Sequence, residues 1–281
     1  MKGSASVIGF AVMVGVGIAA ATAAHAQDTS ELAKAAQNPV ADMISLPLQN
    51  NTFFGIKNAD DPANVLNVQP VIPANISEDW LVISRVIAPI IYLPSFSEGG
   101  QLPESDEPTP SVDDEFGLGD INYTGFLSPA NAGPIIWGIG PSINLPTATD
   151  DTLGSEKWSA GPSAVVLATP NPWVLGTLVR QLWSFAGDSD RDNVNQTLIQ
   201  PFVNYNLSDG WYLTSSPIIT ANWEEDSGDR WSVPVGGGFG KIFRIGSQPM
   251  NFSTQAFYHV ESPEFGPDQS LRVQLQFLFP R

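Results

Sequence analysis

If this chain performs acid–base chemistry, His259 must carry it, because His25 is the one other histidine and falls in a segment that reads as removable. Glu261 and Ser262 follow closely, so a Ser-His catalytic set would have to be assembled there. A lone histidine at a strand end more often lines a lumen or a rim. The chain therefore reads as a non-enzyme with no cofactor. In "GDSDRDN" (187–193), Asp188, Asp190 and Asp192 show the alternate spacing of a calcium loop. The glycine and distal glutamate of such a loop are missing, and solvated loop charge is the better reading, with no metal expected.

Arg85, Arg180 and Arg272 point to different chemistry. Each falls on the inward face of a predicted strand, and charge at membrane depth is tolerated only toward water or a counter-charge. Asp120, also predicted inward, is an available partner. Two roles stay open for this set and for His259: selecting what passes through a lumen, or bracing the wall as a salt-bridge network.

The elements that must position these residues are strands. Acid-rich stretches containing Gly, Pro and Ser recur at 57–64, 97–115, 147–157, 187–193, 224–229 and 261–268. Shorter breaks at 77–79, 128–133, 169–172, 208–210 and 244–248 alternate with them. Between the breaks lie about twelve runs of roughly ten to thirteen residues, long enough to cross a bilayer at a tilt. "QPVIPANISEDW" (69–80) and "QPFVNYNLSDGW" (200–211) align without a gap, so one hairpin design is used twice. Trp80, Trp173 and Trp211 are expected to form one aromatic girdle at the short turns, and Trp183, Trp223 and Trp231 a second beside the acidic loops. The closing "LRVQLQFLFPR" puts Val273, Leu275, Phe277 and Phe279 on one face and Arg272, Gln274 and Gln276 on the other. Its expected partner is the first strand, near residues 43–54.

The 281 residues contain 12 Lys and Arg against 29 Asp and Glu, a formal net charge of −17, and no cysteine. Nucleic acid is excluded as a partner for want of clustered cations. Thiolate chemistry and disulfides are excluded outright. Residues 1–26 read as a cleaved signal peptide: Lys2, an apolar run, then "AHA" ending at Ala26. Residues 27–42 are expected to lie in the periplasm or plug the lumen, with a short helix, and 43–281 to form the barrel. The fold class is all-β: a closed antiparallel transmembrane barrel of about twelve strands.

Proline removes a ladder donor, yet Pro141, Pro162, Pro201 and Pro217 fall inside predicted strands. Chain folding sets Pro141 nearly opposite Pro162, and Pro201 nearly opposite Pro217. They mark bulges facing a wet lumen, or a weakened wall that opens sideways to lipid.

Several long segments carry a resemblance: "QNPVADMISLPLQNN" (37–51), "FGLGDINYTGFLSP" (116–129), "GPSINLPTATDDTLGSEKWSAGPS" (140–163), "PFVNYNLSDGWYLTSSPIITANW" (201–223) and "VPVGGGFGKIF" (233–243). The chain resembles the outer-membrane transporter family associated with the MetA pathway of phenol degradation, some of whose members carry the label neuromedin U. That likeness implies passive passage of small, often aromatic or hydrophobic solutes across the outer membrane of a Gram-negative bacterium. It brings no catalytic motif. The expected partners are outer-membrane lipid and lipopolysaccharide, the barrel-assembly machinery and a small-molecule solute, with the protein a monomer. The rival reading is a non-transporting surface or scaffold barrel, or an exported β-sandwich, whose acidic loops bind a partner.

Overall fold

The computed structural model describes residues 29–59, 61–95 and 113–280. The expected signal peptide and most of the acidic 94–115 loop lie outside the described residues. Two-residue alternation along the chain needs two different environments, one on each face of a single sheet. Closing that sheet provides an inside and an outside. The strands are β1 (Met43–Phe54), β2 (Ala63–Val68), β3 (Val71–Asn75), β4 (Trp80–Leu93), β5 (Glu115–Leu118), β6 (Ile121–Pro129), β7 (Ile135–Leu145) and β8 (Lys157–Ala168). They continue with β9 (Trp173–Gly187), β10 (Asn195–Asn206), β11 (Trp211–Ser215), β12 (Ile219–Asn222), β13 (Trp231–Ile245), β14 (Gln248–Glu261) and β15 (Gln269–Pro280). Three pairs, β2/β3, β5/β6 and β11/β12, each make one interrupted stave, giving a closed antiparallel barrel of 12 strands. Closure leaves no exposed edge. The last strand pairs the first from Met43↔Pro280 to Phe54↔Gln269, the partner expected from the C-terminal alternation.

The repeated hairpin repeats in space. Ile76 N–H donates to Trp80 O at 3.0 Å, and Leu207 N–H donates to Trp211 O at 2.8 Å, at matching positions of the two segments. Ser77 Oγ also accepts from the Asp79 and Trp80 amides, as a turn serine should. Trp80, Trp137, Trp173 and Trp211 sit at the short-turn end of their strands, and Trp158, Trp183, Trp223 and Trp231 at the long-loop end. Trp137 and Trp158 join the two expected girdles. Between them the outer face is apolar, with Ile139, Val166, Val179, Leu213, Val235, Phe252 and Tyr258 exposed.

The interior is divided. Inward residues of β4, β6, β8, β9 and β10 form an apolar cluster of Leu81, Ile83, Phe126, Val165, Leu167, Val174, Leu178 and Phe202. The facing strands present Ser45, Gln49, Thr214, Asn251, Ser253, Gln255 and Gln276. A helix over 29–36 and the chain that follows it enter the short-turn end. Leu32 and Ala33 pack on Met43, Ile242 and Leu278, while Val40 inserts into the apolar cluster. Gln37 Nε2 donates to Asn206 Oδ1 at 2.9 Å and fixes the depth of the segment.

Candidate functional site: an arginine-lined lumen

Two cavities occupy the barrel. The outer one, about 400 Å³, lies under the long loops and is lined by Phe53, Ile218, Phe257, His259, Ser270 and Arg272 among others. The inner one, about 170 Å³, is bounded by residues 35–39 of the N-terminal segment and by Gln69, Arg85, Phe202, Gln255 and Arg272. Arg272 lines both and stands at the boundary between them. Neither lining contains an Asp or Glu. In a chain with so large an acidic excess, both cavities are lined by arginine and by no carboxylate among the described residues.

That boundary is a built constriction. Residues 216–218 break the β11/β12 stave and pair with neither neighbour: β10 registers stop at Ile199↔Ile219 and resume at Val203↔Ser215, and β13 registers skip the same stretch. Pro217 cannot donate to the ladder, and Pro201 sits in the facing gap. The freed groups of Ser216 turn to lumen side chains. Its N–H donates to Gln255 Oε1 at 2.9 Å, and its carbonyl accepts from Arg272 Nη1 at 2.8 Å. Arg272 Nε also donates to Asn51 Oδ1 at 3.0 Å, and its guanidinium lies over the Phe257 ring. Arg272 thus braces the wall through neutral oxygens. Arg272→Ala leaves the Ser216 carbonyl without its donor, so 216–218 should loosen. We expect larger and noisier single-channel currents from this variant; currents as steady as wild type would discount the brace.

The pairing of Pro141 with Pro162 is direct. Ladders fail on both sides of this pair, between Thr124↔Ser142 and Leu127↔Ile139, and between Ala160↔Trp183 and Ser163↔Arg180. Here the strands are drawn together rather than apart. A Cβ on Gly140 would stand 1.7 Å from the Gly125 carbonyl oxygen, and one on Gly161 would stand 2.0 Å from that of Gln181.

Arg85 and Arg180 are placed inward as expected, but the carboxylate proposed for them is elsewhere. Asp120 lies in the β5/β6 break, where it accepts from Ser155 N and Oγ at 2.8 and 2.7 Å and from the Thr147 and Ala148 amides. Its hydrogen-bonding capacity is consumed in pinning the 146–156 loop over the mouth, which corrects the expected arginine pairing. Arg191 holds the same loop through the Asp151 and Gly154 carbonyls at 2.8 and 2.7 Å. Burial and Asp151 raise the pKa of Glu156 at this rim, and Arg191 offsets part of the rise. Hydrogen bonds from Thr152 lower that of Asp150. Lys57 pairs with Glu264 and Arg191 with Glu156, both in loops, and among the described residues no ion pair is made by Arg85, Arg180 or Arg272.

His259 is held between Ser232 Oγ on Nδ1 and Ser270 Oγ on Nε2, each at 3.1 Å, in the outer cavity. Asp188, Asp190 and Asp192 do not converge on a common point, and among the described residues no group of three His, Asp or Glu could hold a metal. Asp188 instead accepts from the Asp190 amide, closing the turn on itself.

The barrel resembles solved structures. An outer-membrane channel from Pseudomonas putida F1 superposes with a TM-score of 0.60 at 16% identity, covering 84% of this chain and 94% of that one. The chain has the fold of an outer-membrane β-barrel. Escherichia coli outer membrane phospholipase A matches at TM-score 0.43 and 14% identity, over 88% of this chain and 97% of that one. A Pseudomonas aeruginosa FadL homologue matches at 0.38 and 10%, over 86% and 91%. Those two scores carry no functional weight. No family model matches the chain, and no curated protein matches it.

Inward parity alone would have named Ser159 and Ser163, which sequence reading passed over. Two other features had no sequence signal. The grip of Gln255 and Arg272 on Ser216 and the entry of Val40 both depend on residues brought together only by closure.

Proposed function

We propose that this protein is an outer-membrane channel that passes small solutes passively, and that it belongs to the transporter family associated with the MetA pathway of phenol degradation. The observation that carries the reading is the pair of lumen cavities meeting at Arg272 inside a closed barrel with an apolar exterior. A scaffold has no need of two lumen cavities that meet at a charged side chain. The short turns and the N-terminal segment face the periplasm, and the acidic loops face outward. The apolar cluster opposite a Gln/Asn/Ser wall suits solutes with both an apolar body and a polar group, aromatics included. Planar-bilayer recording of the purified protein, with liposome swelling in aromatic solutes and in sugars, tests this. Discrete conductance steps and faster entry of the aromatics are the expected result. An electrically silent protein that admits neither solute class would favour the scaffold.

The unpaired 216–218 stretch supports a second reading, a side exit into lipid for apolar cargo. The chain has no cysteine, so a disulfide engineered between positions 201 and 217 would be the sole one. Apolar uptake unaffected by that bond would discard the side exit.

A further inference from the structure

Among the described residues, Arg85 and Arg180 in the interior have no carboxylate partner. Arg85 Nη2 donates to Gln69 Oε1 at 2.7 Å, and its other N–H groups have no protein partner among the described residues. Arg180 makes no hydrogen bond or ion pair there, and its buried Nε is unpartnered. Ser163 registers directly against Arg180, and both its Oγ and that of Ser159, on the same inward row, are buried and unpartnered. Arg85 and Arg180 stand at one level of the barrel, each two residues beyond a member of the same apolar cluster. A buried charge without a counter-charge is strongly unfavourable. Burying two at one level is a poor way to stabilise a barrel and a good way to hold an anion.

These donors form one layer above another. Along β4, Arg85 is two residues beyond Ile83 toward the long loops; along β9, Arg180 is two beyond Leu178. On β8, which runs the other way, Ser163 is two residues from Val165 in the same direction. Ile83, Leu178 and Val165 all belong to the buried apolar cluster. A solute descending from the loops therefore meets a guanidinium and hydroxyl rung, then an apolar one. Phe202 belongs to the apolar cluster and also lines the inner cavity beside Arg85.

We propose that this double layer is a binding site for a small organic monocarboxylate, its carboxylate taken by Arg85, Arg180 and Ser163 and its apolar body turned to Phe202. The site deepens the channel reading and rests on it for its role in transport. Planar guanidinium groups match a carboxylate with two parallel N–H···O bonds, which a chloride ion or an alcohol cannot reproduce. Apolar surface beneath them rejects small hydrated anions. Arg85 and Phe202 line the inner cavity of about 170 Å³, which admits a single ring or a short chain rather than a long acyl tail, while Arg180 and Ser163 stand in the wall one rung above the apolar cluster.

The probe is benzoate, with benzyl alcohol as its uncharged counterpart. Binding is measured by equilibrium dialysis on the detergent-purified full chain, and transport by block of single-channel chloride current in planar bilayers. Wild-type protein should bind benzoate saturably and at least about tenfold more tightly than benzyl alcohol, as the loss of a charge-assisted pair requires. Arg180→Gln and Arg85→Gln should each weaken benzoate binding about tenfold or more and leave benzyl alcohol unchanged. Heat-modifiable migration of each variant establishes that its barrel is folded, and Ser163→Ala provides a milder second test if either arginine variant fails to assemble. Equal binding of the two probes, or benzoate binding indifferent to all three substitutions, overturns the proposal. A protein that binds benzoate with this pattern but never conducts keeps the site and sinks the channel. Chloride current with no benzoate binding does the reverse.

Discussion

Removal of residues 29–40 should raise single-channel conductance by at least about threefold, because the narrowest part of a pore sets its current. In the intact protein the helix over 29–36 and the chain after it stand in the short-turn end of the barrel, and residues 35–39 and 41 wall the inner cavity. The segment is held by burial and by the Gln37–Asn206 amide pair. Val40 is 3% exposed within the apolar cluster, and Leu32 is 8% exposed against Met43, Ile242 and Leu278. Each such side chain contributes roughly 1.5–3 kcal/mol when buried. The wall ladder does not pass through this segment, so the deletion should lower the unfolding midpoint without abolishing the barrel. Val40→Lys is the point version, since an ammonium cannot stay among Ile83, Phe126 and Phe202, one rung from Arg85 and Arg180, without a counter-charge. Conductance equal to wild type in both variants would show that solutes pass around the segment rather than through the space it fills.

Gly140→Ala is expected to be the most damaging single substitution in the wall. The added Cβ would lie 1.7 Å from the Gly125 carbonyl oxygen and 2.9 Å from its carbon, both backbone atoms that cannot swing aside. Pro141 lacks an N–H for the ladder, the β6–β7 register is interrupted beside it, and at Gly140 the two strands meet by backbone contact instead. Forcing them apart strains the neighbouring β7–β8 ladder, which runs unbroken through Pro141↔Pro162. Overpacking of this kind costs about 3 kcal/mol or more. Urea titration in detergent, followed by tryptophan fluorescence and by heat-modifiable migration, reads the loss. Gly133→Ala, where a Cβ would meet nothing, is the control and should be neutral. A midpoint for Gly140→Ala within error of that control would mean the pinch is soft and the wall there free to breathe.

Much of the architecture could be read from the chain because a barrel strand is a local object. Which side of β14 faces in is set by alternation at 249–260, and Asn251, Ser253, Gln255 and His259 are all buried while Phe252, Tyr258 and Val260 are exposed. The same parity placed Arg85, Arg180 and Arg272 inside. Asp120 was placed inward by that rule and then given the wrong partner. It lies in a stave break, where side-chain direction follows the loop it caps, and five nearby donors outcompete a distant guanidinium. The unpaired stretch at 216–218 was foreshadowed by Pro201 and Pro217. Its lumen grip was not, because Gln255 and Arg272 come from strands 39 and 56 residues away.

By itself the sequence determined the strand number, the two tryptophan girdles, the first-to-last closure and the inward face of each arginine. All of these follow from a two-residue period and from turn residues, which act over a few positions. Only the tertiary structure decided that the lumen is apolar on one side and cationic just above, that among the described residues no carboxylate pairs with its arginines, and that the N-terminal segment fills the short-turn end. Those features are set by which strands face each other across the closed sheet, a distance the local pattern does not encode.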